Sequence, residues 1–160
     1  MKKVLLILMA MFAFGLQNVS AQDGIKIVTN HPDFKVKVNR CVASGNTVII
    51  DLSFINEGSN DIDELTVFGG AGKSSAIDSD GNTYESNNIK VKLSKENEYH
   101  NYLTTLSMPT DVPMKVSVRL DNVSKTAEAI ARLKLIVKCR PWGLSDDKPV
   151  RISNIPISRD

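Results

Sequence analysis

Phe34-Lys35-Val36-Lys37-Val38 and, after a short break, Val48-Ile49-Ile50-Asp51-Leu52-Ser53-Phe54 decide the fold. In the first stretch apolar residues alternate with lysines. That period of two gives an extended strand one buried side and one wet side. The second stretch repeats it with Val48, Ile50, Leu52 and Phe54, while Ile49 and Ile55 make the other side partly apolar, as in a central strand. Ser44-Gly45-Asn46 between them is hairpin-turn chemistry. The same alternation runs through Ile89-Lys90-Val91-Lys92-Leu93, Met114 to Leu120, and the row Leu133, Leu135 and Val137, beside Arg132, Lys134 and Lys138. Leu65-Thr66-Val67-Phe68 is a shorter strand. Val150-Arg151-Ile152 and Ile155-Pro156-Ile157 close the chain, with a parity break at Asn154 and a proline that suits an edge or irregular strand. Only Ser124 to Ala131 reads as helix, a short Ala-rich crossover capped by Ser124 or Thr126. Eight or nine short strands, polar turns and one crossover helix predict an all-β, immunoglobulin-like antiparallel sandwich of two sheets.

The chain opens differently. Met1-Lys2-Lys3 is a basic head, Val4 to Leu16 an unbroken apolar run, and Gln17 to Ala21 a polar stretch ending in small residues. That order is a secretory leader with cleavage expected after Ala21. The run is too short to span a bilayer, which takes about 20 apolar residues. The expected organisation is a signal peptide over residues 1–21 and one sandwich domain over 22–160, periplasmic or secreted, with no membrane span once the leader is gone. The leader carries two lysines and no acid, so its removal balances the 20 basic against 18 acidic residues of the full chain. A neutral domain has no bulk attraction for nucleic acid, and none is expected as a partner.

Two cysteines, Cys41 and Cys139, would most simply pair in an oxidising compartment. A bridge closing so long a loop is worth up to about 4–5 kcal/mol in the chain-entropy picture. The alternative is two buried thiols. Phe34, Val36, Val38 and Val42 share one parity and Cys41 the other, so an inward Cys41 requires a bulge near Asn39-Arg40.

Taken together, three stretches resemble the secreted bacterial immunoglobulin-like domains of unknown function. They are Val38 to Gly58, a hairpin ending in an Asn-x-Gly turn; Asp78-Ser79-Asp80-Gly81-Asn82-Thr83-Tyr84; and Val112 to Val116 with the following helix and Leu133-Lys134-Leu135. The resemblance implies a fold and a location and carries no catalytic residue.

Several groupings of residues invite chemistry. Gly69-Gly70-Ala71-Gly72-Lys73-Ser74-Ser75 imitates a phosphate loop but lacks the first glycine, Val67 standing there, and no helix follows, so it reads as a flexible glycine loop. Asp78, Asp80 and Asn82 alternate oxygen side chains as a calcium loop does; a plain hairpin turn explains them equally, and Gly81 is misplaced for an EF-hand. Glu57, Asp61, Asp63 and Glu64 read as a solvated acidic loop, and His31 and His100 have no nucleophile motif beside them. Trp142, with Tyr99 and Tyr102, offers a sugar-stacking platform or an interface anchor, against the alternative of a lid on the core. The broadest pattern is basic: Lys35, Lys37, Lys90, Lys92, Lys115 and Arg119, with Arg132, Lys134 and Lys138, occupy outward strand positions. They form a binding stripe if their strands share a sheet, and otherwise protect edges against association. The reading is an exported, non-catalytic interaction module for a protein or cell-envelope partner, needing no cofactor. The second is a module for an anionic polysaccharide on the basic face or the Trp142 loop, and the third a hydrolase without a recognisable motif.

Overall fold

The computed structural model describes residues 24–29, 33–140 and 149–159. The leader, His31 and Trp142 lie outside the described residues. The strands are β1 (Lys26–Val28), β2 (Phe34–Ser44), β3 (Thr47–Asn56), β4 (Ile62–Phe68), β5 (Ser75–Asp78), β6 (Thr83–Tyr84), β7 (Ile89–Leu93), β8 (Leu103–Met108), β9 (Met114–Leu120), β10 (Ala129–Leu135), β11 (Val137–Arg140), β12 (Val150–Pro156) and β13 (Ser158–Arg159). They form a five-stranded sheet β13-β2-β3-β9-β7, a five-stranded sheet β1-β12-β10-β5-β6 and a three-stranded sheet β11-β4-β8. Neighbouring strands pair antiparallel, except that β13 runs parallel to β2.

The alternation does the folding. Ile50, Leu52 and Phe54 of β3, Val116 and Val118 of β9, and Ile89 and Val91 of β7 turn inward from one sheet. They meet Ile130, Leu133 and Ile152 of the second sheet and Leu65, Val67 and Leu106 of the third in one continuous core. Phe34 and Phe54 pack edge to face, with ring centroids 5.2 Å apart. Each such side chain contributes about 1.5–3 kcal/mol by leaving water. The result is an immunoglobulin-like all-β sandwich. The second and third sheets join at Ile136, between β10 and β11. There the buried Ser74 hydroxyl donates to the Phe68 carbonyl (2.6 Å) and accepts the Ile136 amide (3.0 Å), while the Phe68 amide donates to the Ile136 carbonyl (3.0 Å).

Two irregularities fall where parity requires them. The β2–β3 register shifts between Val38 and Arg40, so Val38 and Cys41 both face the core. Asn154 takes a left-handed φ of 60°, which lets Ile152 and Ile155 both point inward. At the β2–β3 hairpin Gly45 supplies the φ of 62° that a two-residue turn needs.

Two expectations are corrected. The Ser124–Ala131 crossover helix does not form: Ser124 to Ala127 is a turn and Ala129 already begins β10. The Ser124 hydroxyl accepts the Thr126 amide (3.2 Å), and the Thr126 hydroxyl donates to Asp80 (2.6 Å). β10 then satisfies its backbone against β5 and β12, which a nucleus of two helical turns does not outweigh. The Cys41–Cys139 bridge is also absent. The bulge turns Cys41 inward, but opposite Ile50 of β3, whereas Cys139 sits in β11 opposite Leu65; both are buried in different sheets and are not bonded to each other. Burial pushes the Cys41 thiol up to about 12, although the Arg159 charge opposes the shift.

Candidate functional site

β2, β3, β9 and β7 lie side by side, so residues that alternate with the core share one outer face. The register defines three rows across that face. Lys37, Ser53 and Lys115 form the first. Arg40, Asp51, Ser117 and Lys92 form the second, and Val42, Ile49, Arg119 and Lys90 the third. Lys35 continues the face opposite Ile55. All six basic residues singled out on β2, β7 and β9 therefore meet on one sheet face. Arg132 and Lys134 belong to β10 and Lys138 to β11, on the other sheets, and take no part in it.

The charges on this face are unevenly balanced. Asp51 is clamped by Arg40, with Nη2 at 2.6 Å and Nε at 2.8 Å, and its other oxygen accepts the Ser117 hydroxyl at 2.6 Å. Asp121, just past β9, accepts Lys90 at 2.9 Å and Arg119 at 2.7 Å. Burial raises the Asp121 carboxyl, but the hydrogen bonds from Lys90 and Arg119 outweigh it and leave the group below its ordinary value. Lys35 lies 3.9 Å from Glu57 in water. Tyr99, on the loop after β7, lays its ring under Lys92 (4.8 Å) and near Arg119 (5.9 Å). Burial and then the Asp51 charge raise its phenol. Among the described residues no acid lies within ion-pair distance of Lys37 or Lys115. Lys115 borders an open groove of about 560 Å³, lined also by Asn39, Arg40, Asp51, Ser53 and Ser94 among others.

Asp78, Asp80 and Asn82 do come together, but as a turn. The Asp78 carboxylate, 1% exposed, accepts the Tyr84 hydroxyl (2.6 Å), the amides of Asp80 and Asn82 (2.9 Å each) and the Asn82 side-chain amide (3.0 Å). Burial raises that carboxyl, yet the bonds from Tyr84 and Asn82 prevail and hold it low. Its oxygens are already engaged by donors, and Asp80 is drawn away to Thr126, so the cluster is a folding device rather than a calcium ligand set. The glycine loop is packed, not flexible. A Cβ on Gly69 would stand 2.5 Å from the Asn101 carbonyl oxygen, and one on Gly70 would collide with the Ser86 carbonyl. His100 lies 3.8 Å from Glu96, whose oxygens accept the Leu93 amide (2.7 Å) and the Thr104 hydroxyl (2.6 Å), so Glu96 serves the loop. Tyr102 stacks edge to face on Phe68 at 6.2 Å, on the three-stranded sheet.

Sequence reasoning missed Asp51, Asp121, Ser53, Asn39 and Tyr99 as parts of the face. Asp51 carried the one available signal, an acid at an outward position of a strand that is otherwise uncharged.

No helix among the described residues is long and apolar enough to cross a membrane. No family model matches the chain and no curated protein matches it. Among solved structures, it is similar to a family 123 glycoside hydrolase from Clostridium perfringens at 13% identity and a TM-score of 0.41, covering 85% of this chain but only 27% of the hydrolase. It is also similar to self-complemented MyfA, the major subunit of Myf fimbriae from Yersinia enterocolitica, at 10% identity and a TM-score of 0.38, over 84% of this chain and 98% of that one. A third likeness, to the N-terminal domain of PorA, has 11% identity and a TM-score of 0.36, over 85% and 97% of the two chains.

Proposed function

We propose that this chain is an exported, non-catalytic interaction module that holds an anionic component of the cell envelope against the outer face of β2, β3, β9 and β7. The observation that carries the reading is the gathering of Lys35, Lys37, Lys115, Arg119, Lys90 and Lys92 on that one face of a chain with nearly balanced charge. Segregated charge of one sign raises the local concentration of opposite-sign partners and speeds their capture. The leader-like residues 1–21 support export to where such partners lie. The test is capture from a solubilised envelope fraction with the immobilised domain, eluted in steps of salt. Retention that collapses between about 0.1 and 0.5 M salt, where screening shortens to a few ångströms, is the expected result. Retention indifferent to salt, or none at low salt, refutes it.

A further inference from the structure

Resting on that reading, we infer that the ligand is an anionic glycan and that its acid group, carboxylate or sulfate, seats between Lys37 and Lys115 over Ser53. The charge pattern selects this spot. Five of the face's seven bases are already engaged: Lys90 and Arg119 by Asp121, Arg40 by Asp51, Lys35 by Glu57 and Lys92 by the Tyr99 ring. Lys37 and Lys115 remain, exposed and two strands apart, with Ser53 directly between them in register. Two strand spacings are about 10 Å, and both four-carbon stems start from the same face, so both ammonium groups can reach the space over the serine.

Ser53 is built to receive an acceptor. Its side chain is almost wholly covered, at 9% exposure, and its hydroxyl oxygen accepts the Asn39 side-chain amide at 2.8 Å. The serine proton is thereby left to donate toward the groove. An oxyanion resting there takes two ammonium donors and one hydroxyl donor.

The rest of the groove favours a sugar over an acidic protein. Beside Arg40, Lys115 and the Asp51 carboxylate that Arg40 clamps, its lining carries the hydroxyl and amide groups of Ser94, Ser117 and Asn39. Such groups match the hydroxyls of a sugar ring. Protein interfaces centre instead on an apolar, aromatic patch. Among the described residues the exposed large apolar side chains are Val28, Tyr102 and Val112, on three separate elements and none in this groove.

The test uses titration calorimetry with three probes of similar charge: a sulfated heparin-type oligosaccharide, a polygalacturonate oligosaccharide and a poly-glutamate peptide. The expected result is binding of at least one oligosaccharide, weakened tenfold or more in the Lys37→Gln/Lys115→Gln variant. Its log–log salt slope should fall by roughly 2, from the loss of two counter-ion-releasing contacts to a linear polyanion. The Arg132→Gln/Lys134→Gln variant of β10, with the same net charge, should change affinity less than threefold. The stronger of the two oligosaccharides distinguishes sulfate from carboxylate. A Lys37→Gln/Lys115→Gln variant that binds as wild type does overturns the subsite while leaving the basic-face reading standing, and equal weakening of both variants overturns both. Poly-glutamate bound as tightly as either oligosaccharide overturns the glycan assignment. Wild-type protein that binds none of the three overturns both.

Discussion

Replacing Asp78 by Ala should remove a keystone of the β5–β6 turn and lower stability by about 3–4 kcal/mol. The magnitude follows from the donors that converge on its carboxylate. Tyr84 is 4% exposed, and its hydroxyl bond to Asp78 at 2.6 Å is made out of water. Losing a buried, charge-assisted bond of that kind costs about 1.5–3 kcal/mol, including the hydroxyl proton left without an acceptor. The Asp80 and Asn82 donors sit at an exposed turn and regain much of their bonding from water, so each costs only about 0.5 kcal/mol. For a domain of this size the sum lowers the melting temperature by about 10 °C. The pH dependence has a definite sign. The folded carboxyl lies below its ordinary value, since the Tyr84 and Asn82 bonds prevail over burial. Its contribution is therefore present in full above the unfolded value of about 3.9 and is lost as pH falls through the folded one. Thermal melts of wild type and Asp78→Ala should differ by that amount at pH 7 and draw together below about pH 4. Asp80→Ala, which loses mainly an exposed contact to Thr126, should cost less than about 1 kcal/mol. An Asp78→Ala protein melting within about 2 °C of wild type would refute the hub. So would calcium that raises the wild-type melting temperature and leaves the variant unchanged, because it would reinstate the ion site.

Three other perturbations test separate parts of the account. Ser74→Ala should strand the Phe68 carbonyl and Ile136 amide at the junction of two sheets, costing about 2 kcal/mol and moving the urea midpoint down by roughly 1 M; an unchanged midpoint contradicts that role. Cys41, whose thiol is pushed up to about 12, should resist alkylation in the native state at pH 8, where roughly one molecule in ten thousand carries the thiolate. Mass spectrometry without reductant should show both cysteines labelled only on unfolding, and a bridged species would contradict the structure. Asp121→Asn should release Lys90 and Arg119 from their counter-ion and strengthen binding to anionic polymers a few-fold, at a cost of about 1 kcal/mol because both bases are partly in water. That stability difference should fade below about pH 4, since the Asp121 carboxyl is held below its ordinary value when folded.

The strands whose two sides differ sharply were legible. Ile89–Leu93 and Met114–Leu120 match their expected bounds, the break at Asn154 follows from parity alone, and the bulge at Asn39 was expected only on condition that Cys41 turned inward. The edge strands β1 and β6 are two or three residues long, too short for a period to declare itself. β8 was hidden because its first two residues invert the alternation, apolar Leu103 being part-exposed and polar Thr104 buried, which leaves only Leu106 and Met108 to mark the inward side. The helix was misread at Ala129-Ile130-Ala131, where local propensity favours helix and two flanking strands overrule it. Compartment chemistry argued for the disulfide, but which strands face each other is a long-range fact, and Cys41 and Cys139 lie in different sheets. The candidate site was half visible for the same reason. Outward lysines can be read from alternation, whereas their common face depends on β2, β3, β9 and β7 pairing across distant stretches of chain. The acids that pair with Lys35, Lys90 and Arg119 could not be assigned without that pairing.

The most direct measurement of the central claim is amide chemical-shift mapping by NMR as an anionic oligosaccharide is titrated into the folded domain at low salt. The basic face should respond first, with the largest shifts at Lys37, Ser53, Ser94, Lys115 and Ser117, while β10 and β12 stay still. Shifts centred on Arg132 and Lys134 of β10, or spread evenly over the surface, would contradict it.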